Sequence, residues 1–183
     1  MRAAIRRIIT CETEAGESRF ARVEPVRPLV GASSTYFGVW GWDEPPVLPV
    51  AQLDYTPTSL FAAPGGVRVT VVEFHPPGTP DDRADEERAA GVAEYTRLRL
   101  AGDRQRDHDP ATGMHRTDTI DLAVVLKGEV DIAYPGEDGQ VHTTTAREGD
   151  FFVQNGAFHE FHNRSDDPCV ILMFVFGAER KEA

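Results

Sequence analysis

Apolar and polar positions along the second half of the chain fall into short runs of β-forming residues. Val67–Phe74 (VRVTVVEF) is rich in β-branched residues and predicts a strand. The same reading predicts strands at Ile120–Leu126, Glu129–Tyr134, Val141–Thr145, Phe151–Gln154, Phe158–Asn163 and Val170–Phe176. Their connections are short and turn-forming: Lys127-Gly128, Pro135 to Gly139, Arg147 to Asp150, and Asn163 to Pro168. Closely spaced strands with such turns predict an all-β sandwich or barrel. Strands do not alternate with amphipathic helices, which excludes a doubly wound or α/β-barrel fold.

One segment breaks this pattern. Residues 81–101 (DDRADEERAAGVAEYTRLRLA) are rich in helix formers and have an acidic first turn. Asp81 or Asp82 is the expected N-cap. Val92, Tyr95 and Leu98 form a thin apolar stripe, as expected of a surface helix laid across the β layer or a lid over a pocket. Residues 1–66 read as an N-terminal arm, with a strand at Ala3–Thr10 and an aromatic, Gly-punctuated run at Phe37–Trp42. Residues 67–177 read as the main β unit with the helical insertion at about 81–101, and 178–183 as a tail.

Charge narrows the partners. The 183 residues carry 30 Asp and Glu against 19 Lys and Arg, a formal charge of -11. No basic footprint exists for nucleic acid or an anionic membrane. Cys11 and Cys169 are the only cysteines, and no CxxC or CxH spacing suggests a structural zinc site. The start, MRAAIRRIIT, lacks the long apolar run and cleavage site of a secretory signal. Cys169–Phe176 is the longest apolar stretch and is too short to span a bilayer. These features predict a cytoplasmic protein.

The candidate chemistry follows from strand parity. Side chains alternate across a strand, so His115, Thr117, Thr119 and Asp121 share one face, and His159, Phe161 and Asn163 share another. If both faces look inward, His115, Asp121 and His159 converge. Two imidazoles and a carboxylate suit a divalent Fe, Zn, Mn or Ni ion with positions left open for water or substrate. His162 falls on the opposite face, His142 lies in a hairpin strand, and His75 sits at a strand end. His108 is a loop residue that a swing would bring toward the pocket. Gly128, Gly149 and Gly156 are placed where turns call for positive φ.

With these residues in place, the sequence resembles a cupin, a small single-domain bacterial type. The first motif is His115-x-Thr117-x3-Asp121-x6-Gly128, and the second is Gly149-x4-Gln154-x-Gly156-x2-His159-x3-Asn163. The resemblance implies a jelly-roll barrel (a double-stranded β-helix) with an N-terminal arm and one inserted surface helix. It also implies a divalent metal site, with His115, Asp121 and His159 as ligands. Thr117 stands where the family usually has its second histidine, Asp121 where it has glutamate, and Gln154 where it has proline.

Two functions follow from that likeness. One is a metal-dependent lyase, isomerase or dioxygenase acting on a small organic or aromatic metabolite. Asp121 and His159 would be its catalytic residues and Thr117, Gln154 and Phe161 its substrate pocket. The other is a metal-free barrel that binds a small molecule without turnover. The likeness further implies a homodimer in which the Ala3–Thr10 strand joins the neighbour's sheet.

Overall fold

A computed structural model describes residues 5–50 and 53–181. The strands are β1 (Arg6–Glu12), β2 (Ser18–Pro25), β3 (Pro28–Val30), β4 (Ser34–Trp42) and β5 (Val67–Phe74). Helix α1 (Asp85–Leu100) follows, then β6 (Gln105–Arg106), β7 (Arg116–Thr117), β8 (Thr119–Lys127) and β9 (Glu129–Pro135). The chain ends with β10 (Val141–Arg147), β11 (Phe151–Gln154), β12 (Glu160–His162) and β13 (Cys169–Gly177).

Alternation in β8 sets the inside of the molecule. Thr119, Asp121, Ala123 and Val125 are buried, while Ile120, Leu122 and Leu126 are exposed. A one-residue slip would exchange these faces, so the register is strongly specified. Strand β13 lies between β8 and β5 in a six-stranded sheet of order β11-β8-β13-β5-β4-β3. A second sheet has the order β10-β9-β12. Their inner faces share one core that includes Val125, Val130, Ala146 and Ile171. Among the described residues the fold is therefore all-β with one helix, a jelly roll of two sheets. Among the described residues hydrogen bonding does not run continuously around both sheets, so the container is a sandwich with an open seam.

Several expectations need correction. Residues 34–42, read as part of an N-terminal arm, form β4 and lie inside the six-stranded sheet, paired with β5. The strand expected at Ala3–Thr10 is shifted to Arg6–Glu12, paired with β2 from Arg6 opposite Pro25 to Glu12 opposite Ser18. Ala3 and Ala4, at the start of the strand expected there, lie outside the described residues. Neither Asp81 nor Asp82 caps α1. Ala84 occupies the N-cap position without a side-chain bond, and Asp81 binds Arg83 instead. Three acids in the first turn, Asp85, Glu86 and Glu87, favour the helix through its dipole. Leu98 is the stripe's buried member, and Gly91 sits so close to β3 that a Cβ there would lie 2.7 Å from the Val30 carbonyl oxygen. Among the described residues no helix is long and apolar enough to cross a membrane.

Candidate functional site

The site begins as one rung of a β-ladder. His115 and His159 exchange both backbone bonds: the His115 N–H donates to the His159 carbonyl at 3.1 Å, and the reverse bond is 2.8 Å. Residues paired in this way project their side chains to the same face. The two imidazoles accordingly stand with ring centroids 4.6 Å apart. The strand predicted over Phe158–Asn163 is thus shorter than expected: β12 covers Glu160–His162, and His159 joins through an isolated bridge.

Local backbone fixes both tautomers. His115 Nδ1 lies 2.8 Å from the Gly113 carbonyl oxygen, and His159 Nδ1 lies 2.9 Å from that of Ala157. A carbonyl oxygen can only accept, so each Nδ1 must carry the proton. Each Nε2 is then a bare acceptor, and neither has a hydrogen-bond partner among the described residues. Burial, then the neighbouring His159, pushes the His115 pKa down to about 4; burial also lowers that of His159. Both rings are neutral at neutral pH. Orientation of a ligating imidazole by a carbonyl on its other nitrogen is the usual support for a metal-binding histidine.

These rings line a cavity of about 250 Å³ together with Asp121 and Phe161. Asp121 is 3% exposed, and burial raises its carboxyl to a pKa of about 6. Its Oδ1 has no hydrogen-bond partner. Seven buried side-chain N or O atoms among the described residues lack a partner; four of them, on Tyr36, Arg99, Gln105 and Asp121, belong to residues lining this cavity. Buried polar groups left unpaired are costly and mark places where a ligand, ion or water completes the bonding. A wider cleft of about 560 Å³ beside His75 and Pro76–Pro80 has none of these atoms on its lining residues.

The other predicted residues are placed differently. Thr117 is buried, but its hydroxyl accepts a 2.8 Å bond from Thr119 and it does not line the cavity. Gln154 lines a separate cleft with Phe158 and Arg180. Phe161 does line the cavity, its ring 5.1 Å from that of His159. Asn163 holds a turn, donating to the Phe74 and Asp167 carbonyls. His162 pairs with Glu160 at 2.9 Å, and His142 with Asp138 at 3.0 Å. His115 and Asp121 do not hydrogen-bond each other. Gly128, Gly149 and Gly156 have φ of 74°, 88° and 62°. Sequence reasoning missed Tyr36, Arg99 and Gln105; only the placement of Arg99 one residue after the stripe position Leu98 hinted at a role.

Three His, Cys, Asp or Glu side chains are not gathered into a cage for a metal anywhere among the described residues. The two imidazoles fit a metal by their free Nε2 atoms, and Asp121 offers an unpartnered carboxylate oxygen in the same cavity. The donors are therefore suited to a metal but are not closed around one point.

Acid should loosen the metal-free fold through these rings. His115 titrates near 6.5 when unfolded and near 4 when folded, so the unfolded chain binds the extra proton between those values. Stability contributed by the neutral ring is lost as pH falls through that window. Asp121 opposes it, because its raised value makes the folded state the better proton acceptor between 3.8 and about 6. His115→Asn keeps an N–H for the Gly113 carbonyl and removes the titration. Urea unfolding with chelator present should show this variant losing less stability than wild type between pH 6.5 and 4, by on the order of 2 kcal/mol.

No family model matches the chain. Two proteins of Diaporthe leptostromiformis, phomopsin biosynthesis cluster protein C' and phomopsin biosynthesis cluster protein D, are each 37% identical to it over 62 residues. That match spans 34% of this chain and 31% of each relative, so the chain aligns with about a third of their length. Among solved structures, oxalate oxidase in complex with the substrate analogue glycolate is similar with a TM-score of 0.36 and 16% identity, over 61% of this chain and 42% of that one. Oxalate decarboxylase from Bacillus subtilis at pH 4.6 gives 0.44 and 13%, over 82% and 27%. The capsular polysaccharide assembling protein CapF from Staphylococcus aureus gives 0.44 and 9%, over 84% and 29%. This chain covers less than half of each of these solved chains, and at such scores the likenesses assign nothing to its site.

Proposed function

We propose that this chain is a small-molecule cupin enzyme that works with a divalent metal, of lyase, isomerase or dioxygenase type, on a small organic or aromatic metabolite held in the cavity. One observation carries the reading: two adjacent neutral imidazoles, each locked with Nδ1–H on a backbone carbonyl, turn two unshared Nε2 lone pairs into an apolar cavity that also holds an unpartnered carboxylate oxygen. An acceptor-rich pocket of this kind calls for an electron-pair acceptor. His115 and His159 would hold the ion, with Asp121 as the third donor. When bound, a divalent ion supplies Lewis acidity toward a carbonyl or hydroxyl of the substrate.

The chain's own groups do the rest. Asp121, with a pKa of about 6, is poised as a general base near neutral pH whenever its carboxylate is not taken up as a ligand. Its Oδ1 has no bond to lose on accepting a proton from substrate. Phe161, Phe74 and Met173 line the cavity, keep water sparse and sharpen every charge interaction within it.

A second reading rests on the absence of a preformed three-donor group among the described residues. In it the barrel binds a small molecule without turnover, and the two Nε2 atoms accept hydrogen bonds from ligand donors. Elemental analysis of protein purified without added metal, followed by zinc titration, separates the two. Stoichiometric Fe, Zn, Mn or Ni supports the enzyme. A site that stays empty throughout the titration leaves the binding module.

A further inference from the structure

We infer that α1 builds an anion-recognising end into this cavity, with Arg99 holding the carboxylate of a small, otherwise apolar organic acid. The inference rests on reading the cavity as a substrate site and adds to it the class of substrate.

Arg99 lies in the last turn of α1 and lines the cavity with His115 and Asp121. Its Nε is buried without a hydrogen-bond partner. Four arginines in this half of the chain are matched to carboxylates, Arg88 to Asp85, Arg106 and Arg180 to Asp118, and Arg116 to Asp107, whereas Arg97, beside Arg99 in the last turn of α1, is not matched among the described residues. Arg99 has no such carboxylate among the described residues. The acids that line the cavity do not serve. Glu160 is engaged by His162 at 2.9 Å. Asp121 has its carboxyl raised by burial, the opposite of what a guanidinium in contact would do. The charge of Arg99 is instead felt at His115, where it helps keep the ring neutral.

A guanidinium Nε–H buried without an acceptor is costly, and an anion of fitting shape that accepts from it removes that cost. Guanidinium and carboxylate match as two parallel hydrogen bonds. The Tyr36 hydroxyl, buried beside Thr70, is a further polar group on the cavity wall. Burial raises its pKa well above the ordinary value, so it stays protonated and able to donate. The cavity is thus sided. Arg99 is a donor without an acceptor, His115 and His159 are acceptors without donors, and Phe61, Phe161 and Met173 form apolar wall. An acid seated by its carboxylate at Arg99 has an apolar body for that wall and presents its remaining functional group to the imidazoles and Asp121.

The test is isothermal titration of the full chain, stripped with chelator, with benzoate and with its uncharged counterpart benzamide near neutral pH. Benzoate should bind at least about ten-fold tighter than benzamide. Arg99→Gln should bring the two to parity, while His142→Ala, at an exposed residue that pairs with Asp138 away from the cavity, should keep the preference. Arg99→Gln should also melt at or above the wild-type temperature, since it removes an unpaired charge. Equal binding of the two probes to wild type overturns the assignment, as does a preference that survives in Arg99→Gln or is lost in His142→Ala. So does an absence of benzoate binding at millimolar concentration. Should Arg99→Gln not fold, the wild-type comparison of acid with amide decides alone. Because the protein is metal-free, failure here with intact metal uptake removes only the acid. Failed metal uptake with an intact benzoate preference removes only the metal.

Discussion

His159→Asn should abolish stoichiometric zinc uptake, whereas His162→Ala should bind zinc as wild type does. The asparagine amide can still donate to the Ala157 carbonyl, which His159 Nδ1 approaches at 2.9 Å, so the local loop keeps its bond. What disappears is the Nε2 lone pair. Altering only the groups that orient a ligating histidine already costs about 10- to 100-fold in metal affinity, so losing the ligand itself should cost about 100-fold or more. His162, three residues on, is bound to Glu160 and does not line the cavity, so its loss leaves the donors intact. Titration with a competing zinc chromophore reads both affinities. Equal losses in the two variants would mean that the donor face has been misassigned. Full uptake by His159→Asn would remove His159 as a ligand.

Strand parity makes this face legible from the residues alone. In β8, polar Thr119 and Asp121 alternate with apolar Ile120 and Leu122, and the polar members are the buried ones. That inversion of the usual pattern is itself a site signal, because a buried carboxylate among strand residues needs a reason. The pairing of His115 with His159 is legible only as convergence from two strands. The single bridge that fixes their ring spacing depends on how two loops meet. The tautomer lock repeats at one spacing, Gly113 to His115 and Ala157 to His159, yet nothing in the residue types at 113 and 157 announces a carbonyl turned back on a ring.

The helical side of the cavity is hidden for a different reason. Helix α1 has a thin stripe with one buried residue, so the sequence shows that it packs weakly but not which wall it completes. Arg99 and Tyr36, some sixty residues apart in the chain, line one cavity only through tertiary packing, and no local pattern links them. Thr117 and Gln154 are expected in the pocket because they occupy motif positions. Thr117 spends its hydroxyl on Thr119, and Gln154 opens onto another cleft.

Asp118 is inconspicuous in the sequence because parity turns it away from the His115 face, and it is there that the largest loss of stability is expected. Its side chain is 2% exposed and receives Arg180 Nε at 2.6 Å and Arg106 Nε at 2.9 Å. Arg180 also donates to the Thr117 carbonyl at 2.7 Å and the Gly156 carbonyl at 2.8 Å. One carboxylate therefore anchors the end of the chain across the strand that follows His115 and the loop that precedes His159. Asp118→Ala should lower the free energy of unfolding by about 3 kcal/mol, the low end for breaking a buried ion pair, because both guanidiniums retain contact with water. Asp118→Asn keeps one acceptor oxygen and should lose roughly half as much. Burial alone would raise the Asp118 carboxyl, but bonds from Arg180 and Arg106 outweigh it and hold the pKa below the ordinary value. Its contribution is thus present above the unfolded pKa of about 3.9 and is lost as pH falls through the lower folded one. Urea unfolding should show the gap between wild type and Asp118→Ala fully open near pH 7 and narrowing only below about pH 4. A gap that closes already between pH 6.5 and 4 would assign the effect to the buried histidines instead. A variant as stable as wild type at pH 7 would mean that the two arginines are satisfied without this carboxylate.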